Sequence, residues 1–144
     1  MIAKPDWQHL IPHRDAMALL ETVIGFDDTT IHAIAVSHRD PQNPLRSDGV
    51  LRAVNLCEYG AQAMAIHGGL LAQRSGSVAA PGFLVSLRAI ELHVARIDDL
   101  PHDLHVRAMQ LHGDSTGWQY EFRIAHDGAV LATGRAAVMT QPQA

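Results

Sequence analysis

In the run Asn55-Leu56-Cys57-Glu58-Tyr59-Gly60-Ala61-Gln62-Ala63-Met64-Ala65-Ile66-His67-Gly68 a single carboxylate stands among small and apolar residues. On a helical repeat Glu58 shares a face with Val54, Ala61, Gln62, Ala65 and Gly69, so the acid looks out over small side chains with an amide one turn away. Such a glutamate is either a solvent-facing spot on a packed helix or an enclosed acid. Enclosure without partners is costly, so a buried Glu58 finds donors or raises its pKa and holds its proton near neutral pH. A retained proton is what a general acid requires.

Other reactive side chains carry weaker signals. Cys57 is the one cysteine of the chain, which excludes an intramolecular disulfide; mid-helix among apolar neighbours it reads as a small core residue rather than a nucleophile. His102 and His105 flank a turn without a third ligand, so no metal centre is expected. His67 lies nine residues beyond Glu58, on the opposite side of the helix. His13 and Arg14 read as ties between the N-terminal segment and the sheet. Arg39, Arg46, Arg52, Arg88 and Arg96 cluster around the loop, the helix start and the following strand, where an acidic partner could dock.

The elements that must position Glu58 can be read from periodicity. Trp118 to Ile124 alternates apolar and polar residues as a half-buried antiparallel strand does. Weaker alternation covers Met17 to Phe26, Ile31 to Ser37, Leu84 to Val94, Leu104 to His112 and Ala129 to Thr140, with turns at Asp27-Asp28, Asp98 to Pro101, Gly113-Asp114 and Asp127-Gly128. Between the second and third of these about six strands lies one long helix, Arg52 to Arg74, apolar nearly all round, and a short helical turn covers Asp6 to Leu10. Such a helix needs cover on most sides, which one antiparallel sheet curled around it supplies.

The chain has 144 residues, 47% of them hydrophobic, and a net charge of -4. One α+β domain spanning 1–144 is expected. The acidic balance gives no reason to expect nucleic acid or an anionic membrane surface as partner. No membrane span or signal peptide is apparent, and a cytoplasmic location is expected.

The segment Leu10-Ile11-Pro12-His13-Arg14 running into a strand resembles the opening of the 3-hydroxyacyl-ACP dehydratases of the hotdog superfamily, and Glu58-x-x-x-Gln62-Ala63 resembles their central helix. The element order agrees: a hotdog fold, an antiparallel sheet wrapped around one long helix. The resemblance implies that Glu58 protonates the leaving β-hydroxyl of a 3-hydroxyacyl thioester and that Gln62 supports it by hydrogen bonding. Ser86 falls where the family has a Gly whose backbone N–H polarises the thioester carbonyl at a strand kink; with Asn43 and Leu87 it makes up the implied substrate-binding set.

This sequence departs from the family at the base. The resemblance places a catalytic His fourteen residues before the acid, where this chain has Pro44 preceded by Asn43; His38, twenty residues ahead of Glu58, becomes the candidate. The pattern of a P-H-R opening, an N-P loop and E-Y-x-A-Q-A on the helix is similar to the divergent dehydratase-like branch of aryl polyene and related polyketide or fatty acid clusters. The resemblance implies an acyl carrier protein as the carrier of substrate, no cofactor, and either a homodimer or a heterodimer with another hotdog subunit that lends the base. Two other readings stay open: a non-catalytic or half-catalytic partner subunit that binds acyl-ACP, and an acyl thioesterase.

Overall fold

The computed structural model describes residues 1–77 and 82–140. Strand β1 (Ile2–Ala3) and helix α1 (Lys4–Trp7) open the chain, followed by β2 (Thr22–Phe26), β3 (Thr30–Ala35), helix α2 (Leu56–Arg74), β4 (Gly82–Leu92), β5 (Leu104–Gly113), β6 (Gly117–His126) and β7 (Ala129–Thr140). They form one seven-stranded antiparallel sheet in the order β1-β2-β3-β5-β6-β7-β4, with α2 against one face. The strand missed in the sequence is β1, whose two residues are too few to show a period.

Alternation explains which face meets the helix. Leu104, Val106 and Ala108 of β5 and Tyr120, Phe122 and Ile124 of β6 are buried, while Arg107 and Arg123 between them are exposed. The Phe122 ring sits between two glycines: a Cβ on Gly60 of α2 would lie 2.6 Å from it, and one on Gly134 of β7 would lie 2.7 Å from it. Small residues thus let helix and sheet close on an aromatic ring. The turn into β7 is of the expected kind, Asp127 and Gly128 both having positive φ, at 50° and 79°.

Two expectations need correction. The first long strand begins at Thr22 rather than Met17, because Asp15–Met17 forms a 3-10 turn and Ala18, Leu19 and Leu20 are packed into the core. The central helix begins at Leu56 rather than Arg52, after a 3-10 turn at Ala53–Asn55, and it is covered on most of its sides but not on all. Val54 and Ala65 are exposed and Glu58 and Ala61 are half-buried, so one stripe of the helix is open. At one edge of the sheet stands β4, which pairs only with β7 and whose Phe83, Leu84, Val85, Leu87 and Leu92 are 39–56% exposed.

Candidate functional site

Glu58 lies in the first turn of α2, on the open stripe with Val54, Ala61 and Ala65. Among the described residues its carboxylate takes part in no hydrogen bond or ion pair. The neighbouring Cys57 is buried, and its thiol pKa is raised first by burial and then by the Glu58 charge, which leaves it a core residue rather than a thiolate.

Gln62 does not serve Glu58 in the way expected. The helix turns it inward, where its Oε1 accepts the Leu19 N–H at 2.8 Å and its Nε2 donates to the Met17 carbonyl at 2.6 Å. A residue four positions on is rotated enough to leave the acid's stripe, and two orphan backbone groups of the segment after Pro12-His13-Arg14 meet it there. Ser37 completes the clamp, its hydroxyl donating to the Leu19 carbonyl at 2.7 Å.

With its proton so committed, Ser37 Oγ accepts from the Tyr59 hydroxyl at 2.8 Å, and Tyr59 in turn accepts from Asn43 Nδ2 at 3.2 Å. The other Asn43 amide hydrogen goes to the Ser37 carbonyl at 2.9 Å, and its Oδ1 accepts the Leu45 N–H at 2.9 Å. Asn43 is therefore buried with its amide turned to its own chain, pinning the loop between β3 and α2 against Tyr59. Tyr59 is an organising residue that the sequence reading passed over; its place beside Glu58 was the available signal.

His38 is fully buried in the 3-10 turn Ser37–Arg39, and its Nε2 donates to the Leu100 carbonyl at 3.1 Å. Its Nδ1 is buried without a partner, and burial holds the pKa of the ring down. It keeps a basic lone pair, enclosed beneath the Leu100 segment, and no hydrogen bond joins it to Glu58 among the described residues. Ser86 is half-buried on β4 next to a register shift between Leu84 and Ser86, and Leu87 is 40% exposed. The strand is thus irregular where a kink was expected.

The remaining histidines are engaged elsewhere. His67 bridges the Tyr120 hydroxyl at 2.7 Å and the Asp27 carbonyl at 2.8 Å inside the core, on the side away from Glu58 as expected. His105 meets His32 at 2.9 Å rather than His102. His102 groups instead with His126 and Asp127, potential ligand atoms lying within 4.8 Å of one another, but His126 Nε2 already accepts the His102 backbone N–H at 3.1 Å. That bond puts the ring proton on Nδ1, the nitrogen a cation would need. Arg14 caps the Ile11 carbonyl at 2.6 Å, tying its own segment. No helix among the described residues is long and apolar enough to cross a membrane.

Residues 5–144 match the family model described as ApeP-like, ApeP dehydratase. Among solved structures the chain is 27% identical to a chain of the dehydratase heterocomplex ApeI:P from Xenorhabdus doucetiae, with a TM-score of 0.84 over 94% of this chain and 91% of that one. A hypothetical thioesterase protein with coenzyme A from Streptococcus pneumoniae shares 14% identity at a TM-score of 0.63, covering 98% of each chain. A thioesterase from Haemophilus influenzae shares 11% at 0.62, covering 98% of this chain and 92% of that one. The two thioesterases share the fold alone, which is the hotdog arrangement expected from the element order. Among proteins of curated function none matches the sequence.

Proposed function

The chain belongs to the ApeP-like dehydratase family, and we propose that it is the acid-bearing half of a 3-hydroxyacyl-ACP dehydratase whose site closes between two hotdog subunits. The observation that carries this reading is the position of Glu58: half-buried on an open helix stripe, with no basic partner of its own chain among the described residues. A second subunit laid along that stripe would exclude water from the acid and bring a base to face it.

In the proposed reaction the partner's base takes the α-proton of the thioester, and the electrons of that C–H bond form the Cα–Cβ double bond. The Cβ–O bond breaks as its oxygen takes the proton of Glu58 and leaves as water. The backbone around Ser86 and Leu87 is the candidate for polarising the thioester carbonyl, with the loop held by Asn43 as the site's wall. The enclosure of His38, with its Nε2 held by Leu100, supports a base from outside the chain. The solved relative in a dehydratase heterocomplex supports a second, different hotdog chain as the source. A cytoplasmic location suits carrier-bound thioester chemistry and a free thiol at Cys57.

The test is Glu58→Gln in the assembled complex, with conversion of a 3-hydroxyacyl-ACP to the enoyl product followed by mass spectrometry. A loss of roughly 10²–10⁴ in rate is expected for removal of a general acid. Unchanged turnover would remove Glu58 from the mechanism, and release of free carrier thiol instead of enoyl product would favour the thioesterase reading.

A further inference from the structure

Most of the arginines expected to dock a partner are occupied within the protomer. Arg39 pairs with Asp103 at 3.0 Å, Arg96 pairs with Asp98, and Arg46 donates to carbonyls of its own loop at Asp40, Gly49 and His38. A set that shares only Arg88 with the expected one faces solvent. The register places Arg107 of β5 directly opposite Arg123 of β6, and Arg135 of β7 directly opposite Arg88 of β4. Arg135 also faces Glu121, two residues from Arg123 on β6, so the four guanidinium groups form one band across four adjacent strands.

Arg107, Arg123 and Arg135 alternate with buried residues, and Arg88 shares the face of Arg135 by register. All four therefore stand on the sheet face turned away from α2, and all four are exposed. Among the described residues none of them makes an ion pair or a side-chain hydrogen bond; two acids share the face, Glu121 opposite Arg135 and Glu91 opposite Thr133, which pairs across from Arg123. Like charges directly opposite one another destabilise a sheet, and this chain is acidic overall, with a net charge of -4. A band that opposes both trends is best explained by a ligand that neutralises it. Exposed Met109 lies opposite Glu121, and a groove of about 590 Å³ lined by Gly25, Thr30, His32, Arg107 and Arg123 adjoins it.

We propose that the Arg107-Arg123-Arg135-Arg88 band docks the acidic helical surface of an acyl carrier protein. Four strands set about 4.8 Å apart spread the charge over roughly 14 Å, which a protein surface spans and a single phosphate does not. Met109 gives the band an apolar contact of the kind protein interfaces use. Arg88 is two residues from Ser86, so the band ends on the strand that edges the proposed site. The identity of the partner rests on the proposed dehydratase reading; the placement rests on register and charge.

The experiment titrates the assembled protein with fluorophore-labelled holo acyl carrier protein of bacterial fatty acid synthesis, reading anisotropy. Arg107→Glu/Arg123→Glu and Arg88→Glu/Arg135→Glu are each expected to weaken binding at least roughly tenfold, and added salt to weaken the wild-type complex. In turnover the variants raise KM for the carrier-bound substrate and leave the rate on a 3-hydroxyacyl pantetheine thioester unchanged. Because a charge reversal also perturbs the sheet, Arg107→Gln and Arg123→Gln, which relieve a like-charge pair, serve as second variants: they weaken binding without lowering the melting temperature. Carrier binding unaffected by all of these variants overturns the proposal, as does equally tight binding of a duplex DNA probe, which would mark a general polyanion surface. Failure of the dehydratase reading alone shows as intact, band-dependent carrier binding with no turnover of either substrate.

Discussion

Glu58 and Gln62, one helical turn apart, respond to opposite demands. The carboxylate is left without a partner of its own chain among the described residues, whereas the amide is buried and satisfies Leu19 N–H and Met17 C=O. Truncating Gln62 to Ala leaves both backbone groups unsatisfied at about 1–3 kcal/mol each, so a loss of roughly 2–6 kcal/mol is expected, read as a lower urea midpoint at unchanged slope. Glu58→Gln is expected to stay within about 0.5 kcal/mol of the parent; equal losses for the two would make Glu58 structural. Three histidines set the pH response. Burial is the first cause lowering the pKa of His32, His38 and His67, so the unfolded chain binds their protons more readily than the folded one. Their contribution is complete above the ordinary value of about 6.5 and is lost as pH falls through it toward the folded pKa. Asp98 acts in another range: the Arg96 hydrogen bond holds its carboxyl far below the usual value, so its contribution is present above about 3.9 and is lost only in stronger acid. The urea midpoint should therefore fall between about pH 7.5 and 5.5, and fall less in His38→Gln; a flat midpoint would contradict the burial of neutral imidazoles.

Helix α2 approaches the sheet where Phe122 fits between Gly60 and Gly134. Gly60→Ala would gain about 1 kcal/mol of helix propensity but drives a methyl into a fully buried ring, a strain of about 1–3 kcal/mol, so a lower melting temperature is expected and a higher one would show that the ring can move. The sequence made much of this level legible. The Trp118 to Ile124 alternation, the Asp127-Gly128 turn and the long helix each follow a local rule that the fold obeys. What escaped depends on residues distant in the chain. Gln62 faces Met17 and Leu19, 45 and 43 positions away, so its helical spacing to Glu58 could not reveal its true partners. His38 stood in the sequence as the candidate base twenty residues ahead of Glu58, yet the Leu100 segment, 62 positions on, closes over it. Strand β4 was read from weak alternation alone, which could not say that its apolar residues on both faces mark an edge of the sheet.

Taken whole, the chain leaves two surfaces open, the Glu58 stripe of α2 and the apolar edge strand β4. An unpaired strand edge of this length with large exposed apolar side chains is a template for a second chain. Val85 is 51% exposed in the protomer, so Val85→Lys should cost it little folding stability yet convert an assembled complex to separate chains, as light scattering would report by molar mass. An unchanged mass would place the interface elsewhere. On the proposed reading the missing base is a property of the assembly: this chain would present an acid at an interface, and a companion subunit would complete the pair. The direct measurement is the single-turnover rate of enoyl formation from a 3-hydroxyacyl-ACP by the purified chain alone, by the chain joined to a second, His-bearing hotdog subunit, and by that complex carrying Glu58→Gln. The account predicts turnover only in the unmodified complex, and full-rate dehydration by the isolated chain, or by the complex without the Glu58 carboxylate, would contradict it.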